Sequence, residues 1–170
     1  IGTFPGFVTL YGGAVLMGLA ITATILFGQF AISRKPSLLA LACGTLFSAI
    51  VFVPYILTFP GVGTASLFGA LAGTSTYLWL IWHTIFPASF LAYVLLSARE
   101  GTRRVGSART TACVIGTLVA AYTAIHLVFT FDDVLPPLSV DGRYLAGIYA
   151  SLGLVALFSG GAVVLLLRRT

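Results

Sequence analysis

Residues 37–58 read SLLALACGTLFSAIVFVPYILT, a stretch with no charge at all, entered through Arg34-Lys35-Pro36. At about 1.5 Å of rise per helical residue, a stretch of this length reaches across the roughly 30 Å hydrocarbon core of a bilayer. A membrane β-strand would be about half as long and would alternate apolar and polar positions, which this run does not. Four further stretches have the same character, approximately 7–30, 75–97, 110–130 and 144–167. The expected fold is therefore all-α: an integral membrane bundle of five transmembrane helices in a single domain.

Composition points the same way. The chain has 170 residues, 59% hydrophobic and 8% charged, with a mean hydropathy of +1.08, where soluble domains carry roughly 25% charged residues. Its main partner is the lipid bilayer. The net charge of +5 does not indicate nucleic acid, because the cations sit at helix ends and not among base-stacking aromatics. Arg34 and Lys35 fall in the first connection, Arg99, Arg103, Arg104 and Arg109 around the third, and Arg168 and Arg169 after the fifth helix. Alternate connections share a face, so eight of the nine cations lie together, and the positive-inside rule assigns that face to the cytoplasm. Arg143 lies on the opposite face with Asp132, Asp133 and Asp141. The N-terminus is expected outside and the C-terminus inside. An outside N-terminus with no signal sequence, the initial Ile1 and the terminal Leu-Leu-Leu-Arg-Arg-Thr together suggest a fragment of a larger helical membrane domain.

The connections are short except two. Residues 64–71 of the second remain apolar and are expected at the outer interface. The fourth, with Asp132-Asp133 and Asp141-Gly142-Arg143, forms an outer cap. Cys43 and Cys113 belong to no metal-binding spacing and are expected as small residues at helix contacts. The same packing role is expected of Gly12, Gly13, Gly18, Gly44, Gly116, Gly153, Gly160 and Gly161. Pro54 and Pro87 lie inside helices and should bend them.

No acidic residue falls inside a span, so paired carboxylates, a hydrolytic triad and a carboxylate proton path all lack their residues, and no intramembrane lysine offers a Schiff base. The chain is not expected to be an enzyme. What remains is a layer of histidines and aromatics. His83 and His126 are the only histidines, and both lie in spans, where ionisable groups are costly and mark function. His83 is about eight residues, or about 12 Å, inward from the outer end of its helix, and His126 about five, or roughly 8 Å. Trp79 and Tyr122 precede them by one turn on the same faces. Tyr55 and Trp82 complete the candidate ligand-binding set.

Three readings of this layer stay open. The histidines can simply hydrogen-bond locally beneath an interfacial belt of Tyr77, Trp79 and Trp82. The layer can line a pocket for a small amphipathic or aromatic ligand, set between the second, third and fourth helices. His83 and His126 can ligate haem b, which would make the chain a redox protein. An accessory subunit of a membrane complex is a further alternative.

The words Ile-Thr-Ala-Thr-Ile-Leu-Phe-Gly-Gln-Phe (21–30), Ile-Ser-Arg (32–34), Leu-Leu-Ala-Leu-Ala (38–42) and Leu-Thr-Phe-Pro-Gly (57–61) resemble the membrane-associated sensor domains of the MASE type, in particular their fourth class. The likeness continues through Trp79-Leu80-Ile81-Trp82-His83, Phe86-Pro87, Ala92-Tyr93, Leu135-Pro136-Pro137-Leu138 and Asp141-Gly142-Arg143-Tyr144. The resemblance implies a non-catalytic input module in a bacterial inner membrane, joined in cis to a cytoplasmic output such as a histidine kinase or diguanylate cyclase and working as a homodimer. Where the family tends to carry His, before Ala-Leu-Thr-Phe-Pro-Gly, this chain has Tyr55. That departure weakens a histidine metal cluster and leaves a phenol able to line a pocket.

Overall fold

The structure is a computed structural model that describes residues 5–59, 62, 73–99, 101–136, 139–140, 143–144 and 146–168. Five helices make up nearly all of it: α1 (Pro5–Ser33), α2 (Pro36–Thr58), α3 (Thr74–Ser97), α4 (Ser107–Thr130) and α5 (Ala146–Leu167). All five contain stretches long and apolar enough to cross a bilayer. The expectations for residues 64–71, Asp141 and Arg169 lie outside the described residues.

α2 is the centre. Of its most apolar stretch 44% is buried, against 17% or less in every other span. It packs against α1, α3 and α4, while α5 packs mainly against α3 among the described residues. The main core joins Phe47 and Val51 of α2 to Leu78 of α3 and to Ala121 and Val128 of α4. Of the eight glycines expected at close contacts, two are tight. A Cβ on Gly44 would lie 2.1 Å from the Ser89 Cβ, and one on Gly12 would lie 2.6 Å from Ile56. Gly13, Gly18, Gly116, Gly153 and Gly160 would meet nothing within 4 Å among the described residues.

Hydroxyls inside these helices mostly serve their own backbone. Thr22, Thr24, Thr45, Ser48, Thr84 and Thr117 each donate to the carbonyl four residues earlier, at 2.7 to 2.9 Å. Such bonds let polar residues sit in an apolar helix without a partner from another helix.

The two ends of the bundle differ. At the basic end, α1 stops with Arg34 at φ +56, its N–H bonded to the Phe30 carbonyl at 2.7 Å, the left-handed stop usually made by glycine. Lys35 precedes a proline and is extended, at φ −76 and ψ 131, as the proline ring requires. Two residues thus reverse the chain into α2. The α3–α4 connection meets this turn, with the Val105 N–H donating to the Arg34 carbonyl at 2.8 Å. At the aspartate end, the Thr74 hydroxyl donates to the Asp132 carboxylate and the Tyr77 hydroxyl to the Pro136 carbonyl. Alternate connections therefore share an end, as the charge pattern requires. Just before α5, Ser139–Val140 and Arg143–Tyr144 pair as antiparallel strands β1 and β2. The fifth helix was expected from residue 144; the ladder takes Tyr144 and the helix begins at Ala146.

Candidate functional site

α3 carries the site. His83, Trp79 and Trp82 crowd together, with the imidazole centroid 3.9 Å from Trp79 and 3.7 Å from Trp82. The spacing is helical: Trp79 precedes His83 by one turn and Trp82 is its neighbour in sequence. His83 Nδ1 lies 3.0 Å from the Trp79 carbonyl oxygen. A carbonyl only accepts, so Nδ1 holds a proton, and in a neutral ring Nε2 is left as an acceptor. Pro87 has no N–H to give the His83 carbonyl one turn back, so the same residue also has a backbone acceptor freed from the helix ladder.

Two cavities flank this cluster, and α5 forms a wall of both. The first, about 300 Å³, lies toward the aspartate end and is lined by Tyr55 and Phe59 of α2, Ser75, Thr76 and Trp79 of α3, and Ile148 and Leu152 of α5. The second, about 440 Å³, lies deeper, among Trp82, His83, Phe86, Pro87 and Phe90 of α3 and Val155, Ser159 and Val163 of α5. Volumes in this range suit a small organic ligand. Tyr55 and Trp82 are 6.3 Å apart by centroid, and Phe52 stands edge-on to Trp82 at 5.2 Å, so the aromatics run from one cavity wall into the core. The Trp82 indole N–H is buried with no hydrogen-bond partner among the described residues. A buried orphan donor of this kind costs about 1–3 kcal/mol.

Four of the six residues singled out from sequence therefore belong to one cluster: Tyr55, Trp79, Trp82 and His83. Tyr122 and His126 do not join it. Their rings stack at 5.8 Å and 3°, and both are exposed on α4. A cavity between the second, third and fourth helices is present, around Phe47, Ile85 and Thr117, but toward the basic end; the cavities that Tyr55, Trp79, Trp82 and His83 line have α5 as a wall. His83 lines the deeper cavity, whereas His126 is exposed on α4. No cluster of three or more His, Cys, Asp or Glu is placed to hold a metal among the described residues.

Sequence reasoning treated the cysteines singly, whereas Cys43 and Cys113 line one cavity of about 570 Å³ among α2, α3 and α4. Val155, Ser159 and Val163 also went unnoticed, since nothing in the spacing of the fifth helix marks them. The Asp141-Gly142 pair was the available signal for the small hairpin.

No curated protein and no solved structure matches the chain. The family model for the membrane-associated sensor, integral membrane domain (MASE4) matches residues 3–168. With five spans, and a match over nearly its whole length, the chain is a multi-pass integral membrane protein that belongs to the MASE4 family of membrane-associated sensor input domains.

Proposed function

We propose that this sensor domain detects a small, membrane-soluble ligand in the seam between α3 and α5, and signals by shifting α5. The observation that carries the reading is the His83 cluster, pressed between Trp79 and Trp82 and bordered by two cavities that share α5 as a wall. The lining is mainly aromatic and aliphatic, with the His83 imidazole and the Ser159 hydroxyl as the polar contacts of the deeper cavity. That combination favours a largely apolar or aromatic ligand bearing a hydrogen-bonding group.

A ligand moves an equilibrium only by binding its two states differently. Here α5 packs mainly against α3, so occupancy of the seam acts on the principal contact of that helix. Pro87 lies in the same wall and loosens α3 where the cavity opens. The positive-inside rule places the basic end, where α5 ends, in the cytoplasm. Motion of α5 would there reach an output domain in cis, of the histidine kinase or diguanylate cyclase kind, in a bacterial inner membrane.

The test is output activity of the intact protein carrying His83→Leu, Ser159→Ala or His126→Leu. His83→Leu is expected to shrink the difference between resting and stimulated output by on the order of tenfold, the worth of one lost buried polar contact. Ser159→Ala should reduce it less, and His126→Leu should leave it near wild type. A normal response in His83→Leu, at equal protein level, would remove the seam as the sensing site.

A further inference from the structure

The basic end holds a smaller cavity that the sensing seam does not use. It measures about 200 Å³ and is bounded by Ser33 and Lys35 from the α1–α2 turn and by Gly101, Thr102, Arg103 and Arg104 from the α3–α4 connection. We infer that this cradle binds a phosphate group, and that its occupant is the headgroup phosphate of an anionic phospholipid.

The chemistry of the lining comes first. Lys35, Arg103 and Arg104 bring three formal positive charges to one small space and the Thr102 side chain brings a hydroxyl, while the Ser33 hydroxyl already donates to the Gln29 carbonyl at 2.9 Å. Guanidinium forks and hydroxyls are the groups that match phosphate oxygens. The volume falls below the range of pockets built for whole organic ligands, so an anionic headgroup suits it better than a larger body.

The cradle is also built, not merely basic. Its two walls come from parts of the chain far apart in sequence and are tied together by the Val105 N–H to the Arg34 carbonyl at 2.8 Å and by Arg104 Nη1 to the Ser33 carbonyl at 3.4 Å. Both walls contain a left-handed residue, Arg34 at φ +56 and Gly101 at φ +50. Backbone held in such conformations is a recurring feature of ligand clamps.

The position selects lipid over a soluble phosphate. The cradle sits where α1 ends and α2 begins, at the level where a spanning helix meets the headgroups. Ile32, one residue before Ser33, is 85% exposed and gives acyl chains an apolar surface beside the charges. Anionic lipids of the cytoplasmic leaflet are attracted to clustered Lys and Arg at this depth.

The experiment reads lipid retention by native mass spectrometry of the full chain released from phosphatidylcholine nanodiscs doped with phosphatidylglycerol. Wild type is expected to keep phosphatidylglycerol in preference to phosphatidylcholine. The pair Arg103→Gln with Arg104→Gln should weaken that retention roughly tenfold, and Lys35→Gln alone by less. The pair Arg109→Gln with Arg168→Gln removes the same charge from the same end and should leave retention within about twofold of wild type. Equal loss in both pairs, or no preference between the two lipids, would overturn the site. Displacement of phosphatidylglycerol from wild type by millimolar inorganic phosphate would overturn the lipid as occupant. A matched thermal melt of each variant separates lost binding from lost folding, and Lys35→Gln retaining full lipid binding would also count against the cradle.

Discussion

At the scale of single residues, backbone conformation and side-chain chemistry part company at Arg34. Its φ of +56 costs a non-glycine residue about 1–2 kcal/mol, and the guanidinium lying 5.7 Å over the Phe30 ring returns about 0.5–1 kcal/mol. Arg34→Gly should therefore change stability by no more than about 1 kcal/mol, relief of strain offsetting the lost stacking. Arg34→Val places a β-branched residue in the left-handed region and should lose about 1–3 kcal/mol. Thermal unfolding in detergent measures both, and a Val variant as stable as wild type would show that the turn is not held left-handed. Much of the cluster around His83 was legible at this scale, because Trp79 one turn earlier is fixed by helical geometry alone. The contribution of Ser159 was not legible, since a serine among small and apolar residues carries no periodic signal.

At the scale of elements, the five helices were readable from hydrophobic length, with ends displaced by only a few residues. What spacing within a helix does not contain is the order of helices around a bundle, so α4 was expected where α5 stands. The same limit explains the glycines. Composition marks eight as possible contacts, but only an actual crossing makes one tight, as at Gly44 against Ser89. Gly44→Ala should destabilise the bundle by about 1–3 kcal/mol through overpacking. Gly18→Ala, where an added Cβ meets nothing within 4 Å, should be neutral or stabilising by up to about 1 kcal/mol. Comparing denaturation midpoints of the two variants checks this; equal effects would mean that α2 and α3 do not cross at Gly44. The small hairpin ahead of α5 escaped notice because a two-residue ladder is too short to register against a long apolar run.

At the scale of the whole molecule, function depends on which way the chain runs through the bilayer. The hydrogen bond from Val105 to Arg34 holds the first and third connections together, and the bonds from Thr74 to Asp132 and from Tyr77 to Pro136 hold the opposite end. A signal received in the seam reaches a cytoplasmic output only if α5 finishes on the basic face and that face is the inner one. The direct measurement is labelling of single cysteines by a membrane-impermeant thiol reagent in intact cells, in a background with Cys43→Ser and Cys113→Ser. Asp133→Cys should react from outside, while Arg34→Cys and Arg103→Cys should react only after the membrane is permeabilised. Labelling of Arg34→Cys and Arg103→Cys from opposite sides would contradict the bundle itself, and labelling of both from outside would contradict the route proposed from seam to output.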